Sequence, residues 1–161
     1  MPQIYNITSG PSMIINGQVK GKASGLIDLY VYNLCKSLGI HRMYTKHIEL
    51  NFVTSEDDQM GNCWGCGKEG VAVINICRKH HGEKIDYSDQ MQTLAHEMVH
   101  VKQYFRKELD GSGRKYKWKG RNADGYQYEN QPWEREAFKR EEGLYKECWP
   151  LQDDEYWIKA K

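Results

Sequence analysis

Residues 86–109 read DYSDQMQTLAHEMVHVKQYFRKEL, and this stretch decides the fold. Met91, Leu94, Ala95, Met98, Val99 and Phe105 recur at intervals of three and four, which predicts an amphipathic helix with a core-facing stripe. Asp86 or Ser88 can cap its start, and the helical pattern runs to about Leu109. The stripe leaves out His96 and His100. Residues four apart stand ~40° apart around a helix and ~6 Å apart along it, so both imidazoles can converge on one ion. Glu97 is turned ~100° from His96 and flanks the same point. The pattern His96-Glu97-Met98-Val99-His100 therefore offers two nitrogen ligands with a carboxylate beside them. That set suits zinc, which lowers the pKa of water to ~7, with Glu97 as the general base. The alternative reading is two solvent-exposed histidines on a surface helix.

The flanking sequence supplies the rest of the architecture. Leu26, Ile27, Tyr30, Leu34 and Leu38 predict a helix over about 23–38, with Gly39 as its stop. In HIELNFVT (47–54), Ile48, Leu50 and Phe52 alternate with Glu49 and Asn51, the signature of a strand with one buried face. The polar SEDDQMGN (55–62) reads as a loop, and the β-branched GVAVINIC (70–77) as a second strand. DGSGRKYKWKGRNADG (110–125) reads as a loop or short hairpin. Pro132 opens a last helix that continues to about Cys148, with Pro150 ending it; the tail 151–161 is too mixed to assign. The order predicts one α+β domain over 1–161, with its core at about 23–148 and a small mixed or antiparallel sheet.

A catalytic zinc needs a third protein ligand and an open position. The last helix carries Glu134, Glu136, Glu141 and Glu142. At ~100° per residue, Ala137, Phe138, Leu144, Tyr145 and Cys148 fall within ~80° of Glu134, whereas Glu136 falls at ~200°, toward water. Glu141 lies two turns on and ~20° away. Glu134 can thus look inward. Glu141 could hold a liganding group from behind or replace a ligand, and Glu136 is the remaining substitute. The competing reading of Glu134 is an ordinary acid favoured by the helix dipole.

His96-Glu97-Met98-Val99-His100 followed by Glu134-Arg135-Glu136-Ala137 resembles the gluzincin-type zinc metallopeptidases. In particular the chain is similar to ImmA/IrrE-like and small phage-encoded metallopeptidases, which carry HExxH and a downstream ExxA. The resemblance implies a zincin-like domain that hydrolyses peptide bonds, with Glu134 as third ligand. It also implies that the strand near Val71 to Cys77 forms an edge along which the substrate peptide lies. After Ala137 the chain reads FKREEGLYKECW, where ImmA-like proteins have an apolar continuation.

Other clusters carry weaker signals. Cys63, Cys66, Cys77 and His80 have the spacing of a structural Cys₃His zinc site, although the strand pattern between the pairs lets Cys77 pack as a small hydrophobe. Tyr116, Tyr126 and Tyr128 lie between the two ligand-bearing helices, and any one could donate to a developing oxyanion. The segment 114–121, RKYKWKGR, could contact nucleic acid or protein, or be a solvated basic hairpin.

The whole chain fits this picture. A formal net charge of +1 in 161 residues gives no global field for nucleic acid, and no apolar run approaches the ~20 residues of a membrane span. The start MPQIYNITSGPSMIING lacks the pattern of a signal peptide, and five cysteines are an odd number for a disulfide framework, so a cytoplasmic protein is expected. The expected function is zinc-dependent hydrolysis of a peptide or protein substrate, with one catalytic Zn²⁺ and room for a second, structural one. The alternative is a metal-stabilised binding module acting through 114–121.

Overall fold

The computed structural model describes residues 10–17, 25–55, 59–111 and 115–151. In chain order these form β1 (Ser12–Asn16), α1 (Leu26–Ser37), β2 (His47–Ser55), β3 (Gly61–Cys66), β4 (Val71–His80), β5 (Glu83–Lys84) and α2 (Tyr87–Phe105). Then come β6 (Leu109–Asp110), β7 (Lys117–Trp118), β8 (Arg121–Asn122) and α3 (Pro132–Cys148), with a 3-10 turn at Tyr128–Asn130. The α+β expectation holds. No described helix is long and apolar enough to cross a membrane.

The main sheet has the order β1-β2-β4-β3. β1, β2 and β4 are parallel neighbours, while β3 and the short β5 run antiparallel to β4. Alternation explains which face is covered. Ile48, Leu50 and Phe52 of β2 and Ala72, Ile74 and Ile76 of β4 are buried with the stripe of α2, whereas Ile14 and Trp64 on the opposite face are exposed. The strand over Val71–His80 is therefore interior, contrary to the expected edge at Val71–Cys77. The edge on that side is β3, which glycines 61 and 65 hide in the sequence. These glycines let β3 approach α2: a Cβ at Gly65 would stand 2.8 Å from the Tyr104 ring, and one at Gly61 2.8 Å from the Thr93 methyl.

Helix α2 is buried on nearly all sides, because β3 and β4 cover one flank and α3 another. Asp86 stands at its N-cap position without a capping side-chain hydrogen bond. The helix stops at Phe105, short of the expected Leu109. There Lys107 turns left-handed (φ 58°), its N–H donates to the Tyr104 carbonyl, and the Glu108 N–H donates to the Gln103 carbonyl. This is a Schellman closure, and it sends Leu109 into a small sheet with β7 and β8, the expected basic hairpin. The first helix begins at Leu26; its expected start at Ala23, the loop residues 56–58 and 112–114, and the tail beyond 151 lie outside the described residues.

Candidate metal centre

α2 brings His96 and His100 to one side, and α3 lays Glu134 across them. The Nε2 atoms of His96 and His100 each stand 3.0 Å from one oxygen of the Glu134 carboxylate. One donor atom from each of the three residues lies within 4.8 Å of the others, so the group could hold a metal ion. Two ligands bound at ~2.05 Å to a tetrahedral ion stand ~3.3 Å apart, close to the spacing found. All three are shielded: the histidines are 7% and 5% exposed, which excludes the reading of two solvent-exposed histidines.

The far nitrogen of each imidazole is also held. His96 Nδ1 is 3.3 Å from Glu141 Oε2, so Glu141 stands behind a histidine and outside the three-residue cluster. His100 Nδ1 is 2.8 Å from Oε1 of Gln103, which is fully buried. The Gln103 amide can be oriented from its neighbours. Its Nε2 donates to the Trp133 carbonyl (3.0 Å) and to Glu136 Oε1 (2.8 Å), both of which only accept. Oε1 must then accept from His100 Nδ1–H, which leaves the His100 Nε2 as the ligand atom. Gln103 is a functional residue that sequence reasoning missed. Its only signal was a position one turn beyond His100 on the same helix face.

Glu136 differs from expectation. Rather than facing water, it receives Gln103 and Lys102 Nζ (2.8 Å), and Arg140 lies 3.6 Å away. The ideal-helix angle was right, but α2 extends far enough to cover that side of α3. Glu136 is thus no substitute ligand; it braces the amide that braces His100. Phe138 is also displaced from its expected core role, being half exposed with its ring 4.6 Å from that of His96.

The electrostatics favour a cation between the three groups. Burial works to raise the pKa of Glu134, but hydrogen bonds from His100 and His96 outweigh it and hold the carboxyl at about 2. Burial likewise opposes charge on His100, and the bond to Glu134 with the nearby Glu97 and Glu134 charges reverses it, raising its pKa. Positive charge is thus drawn to the spot where the donors meet, and a metal ion can replace the protons there. Glu97 is buried, 5% exposed, and burial pushes its carboxyl to about 7 despite the opposing pull of the two histidines.

A cleft of about 200 Å³ opens beside Glu134 and His100, lined also by Cys63, Tyr104, Tyr116 and Trp133. Of the three candidate tyrosines, Tyr128 reaches the centre: the residue is largely exposed, but its hydroxyl donates to Glu134 Oε2 at 3.3 Å, and partial desolvation there with the adjacent Glu134 charge keeps it protonated, with a pKa of about 12. Tyr116 stacks on Trp133 at 5.6 Å between centroids, and Tyr126 meets the same ring edge-on. Trp118 of the basic hairpin packs on Trp133 as well (6.1 Å).

The expected Cys₃His site does not assemble. Cys63 and Cys66 are three apart on β3 and so face opposite sides of the sheet; Cys63 packs toward the core under α2. On β4, Cys77 donates its thiol to the Gln59 carbonyl, and the ring of His80 meets that of His81. Among the described residues, His96, His100 and Glu134 are the only metal-type cluster. Compared with protein-family models and with curated proteins, the chain matches none.

Proposed function

We propose that this chain is a zinc-dependent endopeptidase of gluzincin type, with a zincin-like fold. The observation that carries the reading is the convergence of both histidine Nε2 atoms on the Glu134 carboxylate, 3.0 Å each, with buried Glu97 beside them. His96, His100 and Glu134 would hold one zinc, and Glu141 and Gln103 fix the two rings. When bound, the ion lowers the pKa of water and polarises a peptide carbonyl. Glu97 takes the proton of the attacking water and passes one to the leaving amine. A carboxyl poised near 7 suits both halves of that transfer. The protonated Tyr128 hydroxyl donates to the carbonyl oxygen as charge develops on it.

Substrate backbone pairs with the open edge of β3, whose Cys63 lines the cleft. The five free thiols are in keeping with action in a reducing cytoplasm. Because Trp118 is packed on Trp133, its ring supports the cleft wall rather than a nucleic-acid platform.

Zinc-loaded protein should cleave a library of quenched fluorescent peptides, and Glu97→Gln should keep its zinc and lose ~10²-fold or more of the rate. Wild-type turnover by that variant would overturn the reading.

A further inference from the structure

A second pocket of about 150 Å³ adjoins the metal-centre cleft, with Tyr104 and Leu109 forming a shared wall. Its floor is the end of β3 and the following turn, at Gly65 and Gly67. A Cβ at either would run into Tyr104, at 2.8 Å from its ring and 2.4 Å from its carbonyl oxygen. Glycine is thus required at both positions, because Tyr104 lies directly against the backbone of β3 and of the turn that follows it.

Lys68, Lys107 and Lys117 line it, against two carboxylates, Glu108 and Asp110. Glu108 is engaged by Lys102 Nζ at 2.7 Å, and Asp110 stands directly across the β6–β7 ladder from Lys117. The lining thus carries three lysines against two carboxylates, one positive charge in excess, and Lys102, which Glu136 shares, draws on the Glu108 carboxylate from outside it.

Lys107 adds an independent observation. It occupies the left-handed position that closes α2 (φ 58°), where glycine is the residue without steric cost. A lysine there strains the backbone and puts an ammonium at the pocket. Residues held against their conformational preference concentrate at binding sites.

We propose that this pocket binds a carboxylate of the substrate, so that the enzyme selects peptides with an acidic group a few residues from the cleaved bond. The proposal rests on the peptidase reading for its geometry. Cys63 lines the cleft, and Gly65 and Cys66 of the same strand line the second pocket, two and three residues further on, which is ~7–10 Å along an extended chain. A peptide paired with β3 therefore offers the pocket a side chain two or three residues from the bond, or a chain end at the same distance.

The test is binding, read by fluorescence anisotropy on the zinc-loaded Glu97→Gln protein. Labelled peptides carry Glu or Gln at each position in turn, and end in either a free acid or an amide. A Glu peptide should bind about fivefold or more tightly than its Gln twin at low salt, with the gap shrinking as salt rises. If a free-acid end reproduces the gain, the carboxylate is that of the chain terminus; if only internal Glu does, it is a side chain. Lys107→Gly should abolish the preference while its Tm stays level or rises, because glycine relieves the left-handed strain. That combination separates loss of the charge from loss of the fold. Equal binding of Glu and Gln peptides, or a preference that survives in Lys107→Gly, would overturn the proposal. Cleavage is scored separately on zinc-loaded wild type. A Glu preference without any cleavage leaves the pocket standing and removes the peptidase reading.

Discussion

Two regions of this chain carry metal-ligand residues at short spacing, and only one of them assembles. On α2, His96 and His100 are four apart and converge on Glu134; on β3, Cys63 and Cys66 are three apart and diverge, and on β4 Cys77 and His80 are separated by a bulge at Arg78 and take other partners. A separation of four nearly completes a helical turn, whereas an odd separation on a strand changes face. Ligand spacing carries information only after the secondary structure that bears it is known. The finger spacing presupposes a turn between its cysteines, and between Cys63 and Cys66 the regular strand β3 takes that turn's place.

The largest expected effect tests this contrast directly. Metal content by plasma mass spectrometry should be one zinc per chain in wild type and none in His96→Ala or His100→Ala, since each removes one of three ligands. Cys66→Ser should keep the full zinc content, with stability within ~0.5 kcal/mol of wild type as for most partly exposed sites. Zinc lost on Cys66→Ser would restore the second site and break the comparison.

A smaller effect separates the acids of α3. Glu134→Gln should weaken zinc by ~100-fold or more, because it removes a ligand. Glu136→Gln should cost ~10-fold, because it loosens only the Gln103 amide behind His100. Competition with a chromogenic chelator measures both. Equal losses would mean that Glu136 is itself a ligand.

What the sequence discloses, and what it hides, follows the same division. The helical period of 91–105, the alternation of 47–54 and the position of Pro132 are local signals, and the elements they predict are all present. Glu134 is legible because its angular neighbours Ala137, Leu144 and Cys148 are apolar and buried. Gln103 and Glu136 are not, because their roles depend on how far α2 extends across α3, a tertiary fact with no period of its own. β3 escapes because its glycines, required by the approach of Tyr104 and Thr93, carry no strand propensity. The interior place of β4 escapes with it: the neighbour that covers that edge is the strand the sequence conceals.

The smallest effect turns on Glu97, which is buried beside the His96, His100 and Glu134 cluster and is not part of it. Its carboxyl titrates at about 7 in the folded protein, against 4.5 when free of the fold. A raised acid pKa means that the folded state holds the proton more tightly than the unfolded one. Folding is therefore favoured most below about 4.5 and loses stability as pH rises toward about 7, beyond which the loss is constant. Glutamine cannot ionise, so metal-free Glu97→Gln should exceed wild type by about 3 kcal/mol at pH 8 and approach it near pH 4.5. Urea denaturation at the two pH values reads the difference. A gap of the same size at both would show that Glu97 is not held as a buried, charge-penalised carboxyl. Zinc should narrow the gap at pH 8, because the cation offsets the charge that burial penalises. The helix that brings His96 and His100 together thus also carries, at the residue after His96, a carboxyl whose burial costs stability whenever it is ionised.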